Sequence, residues 1–166
     1  MKQPNKIDNG SHTEALTIRP AQHDDLEAMV SLLQALFAIE EDFTPDPDRQ
    51  RRGLNRFLGG CGKHRCIMVA ESENQVIAMA TLQMLRSTAE GGPVGLVEDV
   101  VVQADCRGKG IGRRLMRALQ DWATERGLMR LHLLADRTNF SALDFYNQSG
   151  WLPTRLMWLR TICPSI

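Results

Sequence analysis

The sequence predicts an α/β domain built on a mixed, mostly antiparallel sheet of about seven strands, with about four helices on its faces. Three observations carry that expectation. The hydrophobic period switches repeatedly between two and 3.6 along the chain. Val94 to Val102 is apolar nearly throughout, as a strand buried on both faces would be. The second half alternates strand and helix patterns between short glycine-containing turns. With 166 residues, the chain fits one such domain.

Residues 1–13 are polar and aperiodic and are expected to form a disordered arm, leaving 14–166 as the folded domain. Ala15 to Arg19 alternates and stops at Pro20, a short first strand. Leu26, Met29, Val30, Leu33, Leu36 and Phe37 then lie on one helical stripe, with Asp24 as the expected cap. Pro45 and Pro47 interrupt, and a second helix is expected from Asp48 to Leu58, ending at Gly59-Gly60. Cys66–Ala70 and Val76–Leu85 read as a hairpin closed at Glu71–Asn74. After the strand Val94–Val102, a helix carries Ile111, Leu115, Leu119 and Trp122 and ends at Gly127. Leu128–Ala135 is the next strand, then a short helix capped by Asn139 or Ser141 and ending at Gly150. Thr154–Ile162 is expected to close the sheet.

Twenty basic and twenty acidic residues cancel, which argues against nucleic-acid binding, since phosphate contacts leave a basic surplus. No apolar run approaches the ~18 residues a membrane helix needs, and no leader pattern opens the chain, so a soluble, cytoplasmic protein is expected. Cys61, Cys66, Cys106 and Cys163 are read as reduced thiols. Cys61 and Cys66 bracket His64, but that spacing matches no zinc motif, and no metal is expected.

The segment Arg107-Gly-Lys-Gly-Ile-Gly112 stands between the buried strand and a helix. Its glycines allow a tight turn and close backbone approach, and the helix N-terminus beyond offers unpaired N–H groups to an anion. With Arg107 and Lys109 the segment suits a diphosphate. It lacks the spacing and hydroxyl of a P-loop. It also departs from the Gly-x-Gly-x-x-Gly dinucleotide fingerprint, and Asp136 comes late for the acid that fingerprint requires.

The run Val97-Glu-Asp-Val-Val-Val102 followed by Arg107–Gly112 resembles the pyrophosphate-binding motif of the GCN5-related N-acetyltransferases (the GNAT superfamily). Asn139-Phe-Ser-Ala-Leu-Asp-Phe-Tyr146-Asn-Gln-Ser-Gly150-Trp is similar to that family's next motif, and Ile18-Arg-Pro-Ala21 to its opening. The resemblance spans roughly Ala15 to Ile162 and implies a GNAT-like fold that takes acetyl-CoA as co-substrate. It implies that the backbone of Val100, Val101 and Val102 pairs with the amide arm of the co-substrate. Arg107, Gly108, Lys109, Gly110, Ile111 and Gly112 would hold the pyrophosphate, and Asn139 would meet the pantetheine.

The reaction so implied is direct acetyl transfer to a primary amine of a small molecule. An alkylammonium, with pKa about 10, must lose a proton before it can attack. Glu98 is the expected base, and a similar Leu-Glu-Asp stretch serves in polyamine acetyltransferases of the family. Asp99 should lie on the opposite strand face, and replaces Glu98 only if the strand is bulged. A backbone N–H near Val100 would stabilise the oxyanion, and Tyr146 would protonate the departing thiolate. Cys106 is incidental, because direct transfer needs no acyl-enzyme. Glu40-Glu41-Asp42 either draws a cationic acceptor or is a solvated loop. Two other readings share the fold: a non-catalytic acyl-CoA sensor, and a peptide or protein N-acetyltransferase. The apolar stretch Trp151–Ile162 serves either as core or as a homodimer surface.

Overall fold

Five strands form one sheet in the order β1-β2-β3-β4-β5: β1 is Thr17–Pro20, β2 Arg65–Ser72, β3 Gln75–Ser87, β4 Gly92–Val102 and β5 Leu131–Leu133. The first three pairings are antiparallel and β4 with β5 is parallel. This computed structural model describes residues 16–40 and 42–163, and the chain divides into two units after Leu134. The expected N-terminal arm, residues 1–13, lies outside the described residues.

Helices cover both faces of the sheet in the first unit, which is why its central strands are apolar on both sides. On one face, α1 (Leu26–Phe37) and α2 (Pro47–Leu58) pack Met29, Val30, Leu33, Leu54 and Leu58 against Ile67, Val69, Met79 and Val101. The helix α3 (Ile111–Glu125) lies against β2 and β3 and buries Ile111, Leu115, Met116, Leu119 and Trp122, the stripe its sequence predicts. Gly127, at φ +67°, ends α3 as expected.

Local chemistry sets the boundaries. Pro47 does not break a helix but opens α2, where its missing N–H costs nothing, and Asp46 caps it by accepting from the Arg49 N–H at 2.9 Å. The start of α1 differs from expectation. Asp24 is exposed, and a 3₁₀ turn (His23–Asp25) precedes the helix, so the functional acid is Asp25. Its buried carboxylate accepts from the Gln22 N–H at 2.7 Å and from the Arg19 guanidinium at 2.7 and 2.8 Å. The Arg19 Nε also donates to Glu71 at 2.7 Å, which ties β1, the 3₁₀ turn and β2 together.

The β2–β3 hairpin closes on Glu73 and Asn74, at φ +50° and +60°, the two positive angles a type I′ turn requires. Gly95 lets β5 settle beside β4. A Cβ there would stand 2.5 Å from Leu131 Cδ2 and 2.7 Å from Leu82 Cδ1.

Two expectations about strands need correction. The strand expected over Leu128–Ala135 is confined to Leu131–Leu133, because its partner β4 offers a parallel ladder only at Gly95–Val97. The closing strand expected over Thr154–Ile162 does not form among the described residues, so the sheet holds five strands rather than about seven. A strand pattern yields a strand only where ladder bonds form, and among the described residues Thr154–Ile162 forms none. In the second unit, α4 (Phe140–Gln148) is capped by Asn139, whose Oδ1 accepts from the Ala142 N–H at 3.1 Å, and Gly150 follows at φ +83°.

Candidate active site

The pairing of β3 with β4 slips in its middle. Met79 faces Val101 and Thr81 faces Glu98, so Asp99 and Val100 together oppose Ala80 alone. That two-against-one count is a β-bulge, and Asp99 occupies it at φ +52°, a left-handed conformation that is costly for an aspartate.

The bulge resets the alternation of side chains. Gln83 Nε2 donates to Glu98 Oε2 at 2.8 Å, and Thr81 Oγ1 lies 3.3 Å from Asp99 Oδ2. Thr81 and Gln83 are two apart on a strand and therefore share a face. Both carboxylates stand on that face. The expectation that Asp99 points away from Glu98 is thus corrected, and the reason is the extra residue in β4.

The two acids are not equivalent. The Asp99 carboxyl is pushed up to about 6: burial contributes most, the neighbouring Glu98 charge adds to it, the Thr81 hydroxyl opposes the rise, and the charge of Glu40 adds a little more. Glu98 has its Gln83 amide donor. The charges that act on Asp99 among the described residues are those of Glu98 and Glu40, whereas Asp25 faces the Arg19 guanidinium.

Beyond Val97, β4 parts from β5, leaving Glu98–Val102 without a ladder partner on that side among the described residues. The Gln103 N–H donates to the Ile77 carbonyl of β3 at 2.9 Å. Because backbone donors alternate along a regular strand, the Val102 N–H faces the open side, while Val101 turns its side chain into the core. An extended amide chain could add there as a further strand.

The glycine loop completes this end of the sheet. Gly108 and Gly110 sit at φ +75° and +79°, with no atom within 4 Å of where a Cβ would stand. Gly110 is the N-cap of α3 and provides no side-chain cap, so the first N–H groups of the helix, from Ile111 and Gly112 onward, are directed outward. Lys109 is exposed, and Arg107 Nε donates to the Val102 carbonyl at 3.0 Å, anchoring the loop to the end of β4 while using one of five guanidinium donors. Open glycines, outward N–H groups and two cations fit a pyrophosphate.

In the second unit, Tyr146 is half-buried, edge-on to Phe145 at 5.2 Å and to Trp151 at 6.4 Å between ring centroids. Asn139 uses its carbonyl oxygen as the α4 cap, which leaves its amide nitrogen as the group able to reach a ligand. Sequence reasoning missed Thr81 and Gln83. The available signal was polar side chains at alternate positions in the otherwise apolar Ile77-Ala-Met-Ala-Thr-Leu-Gln-Met84.

Comparison with known proteins is consistent with this geometry. The model of the acetyltransferase (GNAT) family matches residues 26–151, well over half of the chain. Glucosamine 6-phosphate N-acetyltransferase 1 of Oryza sativa subsp. japonica is 30% identical over 128 residues, covering 74% of each protein. A protein of Archaeoglobus fulgidus described as an uncharacterized N-acetyltransferase is 29% identical over 132 residues, covering 79% of this chain and 89% of that one. Among solved structures, aminoglycoside N-acetyltransferase AAC(6')-Iy in complex with CoA shares the fold, with a TM-score of 0.76 at 19% identity over 92% of this chain and 99% of that one. The chain belongs to the GNAT family of acetyltransferases and is an acyltransferase.

Proposed function

We propose that this acetyltransferase moves the acetyl group of acetyl-CoA directly onto a primary amine of a small molecule, with Asp99 as general base. The observation that carries the proposal is the β4 bulge, which sets Asp99 and Glu98 on one face beside the unpaired stretch of the same strand. The relatives support the acceptor class. One is named for glucosamine 6-phosphate, and a fold neighbour is named for aminoglycosides, both amino sugars.

Acetyl-CoA supplies an acetyl group activated as a thioester. Its pyrophosphate is assigned to Arg107, Gly108, Lys109, Gly110, Ile111 and Gly112, and its amide arm to the backbone of Val100–Val102, with Asn139 contacting the pantetheine. Asp99 takes a proton from the acceptor ammonium. A carboxyl raised to about 6 is a better match to an amine than an ordinary carboxylate and is still ionised at neutral pH. Glu98, first expected as the base, becomes the neighbouring charge that attracts the ammonium and helps raise Asp99. The Val100 N–H donates to the acetyl oxygen as negative charge develops there. The C–N bond forms as the C–S bond breaks, and Tyr146, by its place in the motif Asp144-Phe-Tyr-Asn147, gives its proton to the sulfur and is restored by the second proton that the acylated nitrogen sheds. One proton leaves for each ammonium acetylated.

Thiol release from acetyl-CoA across a panel of amino sugars, polyamines and peptides tests this reading. Acceptor-dependent release with an amino sugar, lost in Asp99→Asn and reduced in Tyr146→Phe, is expected. Binding of acetyl-CoA without turnover on any amine would instead establish a sensor, and turnover on peptides alone would overturn the acceptor class.

A further inference from the structure

Thr81 is 2% exposed, one of the few polar side chains in the core, and it stands directly opposite Glu98 at the start of the bulge. Its hydroxyl has a single proton and two acceptors in reach: the Glu98 carbonyl oxygen at 3.0 Å and Asp99 Oδ2 at 3.3 Å. One proton cannot fully serve both. A hydroxyl can also accept, through its lone pairs.

We propose that Thr81 is a positioning residue that holds Asp99 in place through both halves of the proton-transfer cycle, donating to the carboxylate and accepting from the carboxylic acid. The inference rests on the reading of Asp99 as the base. When Asp99 has taken a proton, its O–H donates to Thr81 Oγ1, and the Thr81 proton stays on the Glu98 carbonyl. When Asp99 is ionised, rotation about Cβ–Oγ1 turns the Thr81 proton to Asp99 Oδ2, because a bond to a charged acceptor is roughly twice as strong as one to a neutral carbonyl. No atom is transferred to Thr81. Each state of Asp99 finds a complementary partner without movement of the backbone, which the bulge already holds at a strained angle.

The charges acting on Asp99 are Glu98 on its own strand and Glu40 in the segment after α1, and both oppose its ionisation. The Thr81 donor opposes them. Removing that donor should therefore make Asp99 harder to ionise. A valine at 81 keeps the shape and removes both hydrogen-bonding functions, whereas a serine keeps the hydroxyl.

The test is a ¹³C NMR titration of the Asp99 carboxyl in the wild type, Thr81→Val and Thr81→Ser, with assignment by Asp99→Asn. Thr81→Val is expected to move the titration upward by about one pH unit, and Thr81→Ser to return it to the wild-type position. If Thr81→Val does not fold, Thr81→Ala gives the same readout. Acetyl transfer to an amino sugar is measured alongside, and kcat is expected to fall in Thr81→Val with KM for acetyl-CoA unchanged. An Asp99 titration unmoved by Thr81→Val overturns the inference about Thr81. Full activity in Asp99→Asn removes the base reading instead, whatever the titration shows.

Discussion

Asp25 and Asp99 are both shielded aspartates in the same unit, and their surroundings drive them in opposite directions. Asp25 faces the Arg19 guanidinium and the Gln22 N–H, which hold its carboxyl below the ordinary range. Asp99 is buried, faces Glu98, Glu40 and one hydroxyl, and is pushed up to about 6, by burial first and then by those charges. The first arrangement locks a carboxylate as an anion and fastens three chain segments. The second leaves a carboxyl able to gain and lose a proton near neutrality, at a strained backbone angle. The two aspartates are thus set apart by burial together with the partners supplied, not by residue type.

The widest separation is expected in activity. Asp99→Asn should lower acetyl transfer by about 10²–10⁴-fold, the range for loss of a general base, whereas Asp25→Asn should leave the turnover of the folded fraction near wild type. Stability should separate the two the other way. Asp25→Ala leaves the Arg19 guanidinium without its main partner, and about 2–3 kcal/mol should be lost, less than for a fully buried pair because Arg19 is partly exposed. Thermal unfolding at neutral pH reads that loss as a fall of roughly 5–10 °C.

Opposite pKa shifts also predict opposite pH dependence. Asp25, depressed in the folded state, contributes stability above its unfolded pKa, about 3.9, and loses it as pH falls through the lower folded value. Asp99, raised in the folded state, binds its proton more tightly in the native protein. Its ionisation therefore lowers stability as pH rises from about 4 toward 6. Asp99→Asn should raise the unfolding temperature at pH 7.5 by a few degrees, roughly 1 kcal/mol, with no gain at pH 4.

Smaller effects sharpen the contrast between strained positions. Gly110→Ala forces a Cβ onto a φ of +79° at the α3 N-terminus and should raise KM for acetyl-CoA about 5–30-fold with little change in kcat. Glu73 shares the positive φ of Asp99 but lies in a hairpin turn, so Glu73→Asn should stabilise by about 0.5 kcal/mol and leave transfer unchanged.

The sequence made some of this legible. The α3 stripe, its cap at Gly127 and the glycine loop are local patterns, and each occupies the place the pattern implies, whereas the two acids lie on β4 as expected but not on opposite faces. The bulge was not legible, because a strand's register depends on its partner, and nothing in Glu98-Asp-Val100 marks where the extra residue falls. Thr81 was hidden for the same reason, since its relation to Asp99 exists only across that pairing. Thr154–Ile162 shows the limit from the other side, a strand pattern that forms no ladder among the described residues.

The most direct test of Asp99 as the base is the pH dependence of kcat/KM for an accepted amino sugar in the wild type, Asp99→Asn and Glu98→Gln. The wild type should lose activity below about pH 6, following the Asp99 carboxyl. Residual transfer by Asp99→Asn should be flat through that range, and Glu98→Gln should keep the limb, moved to lower pH. A limb near 6 that persists in Asp99→Asn, or disappears only in Glu98→Gln, would contradict the assignment.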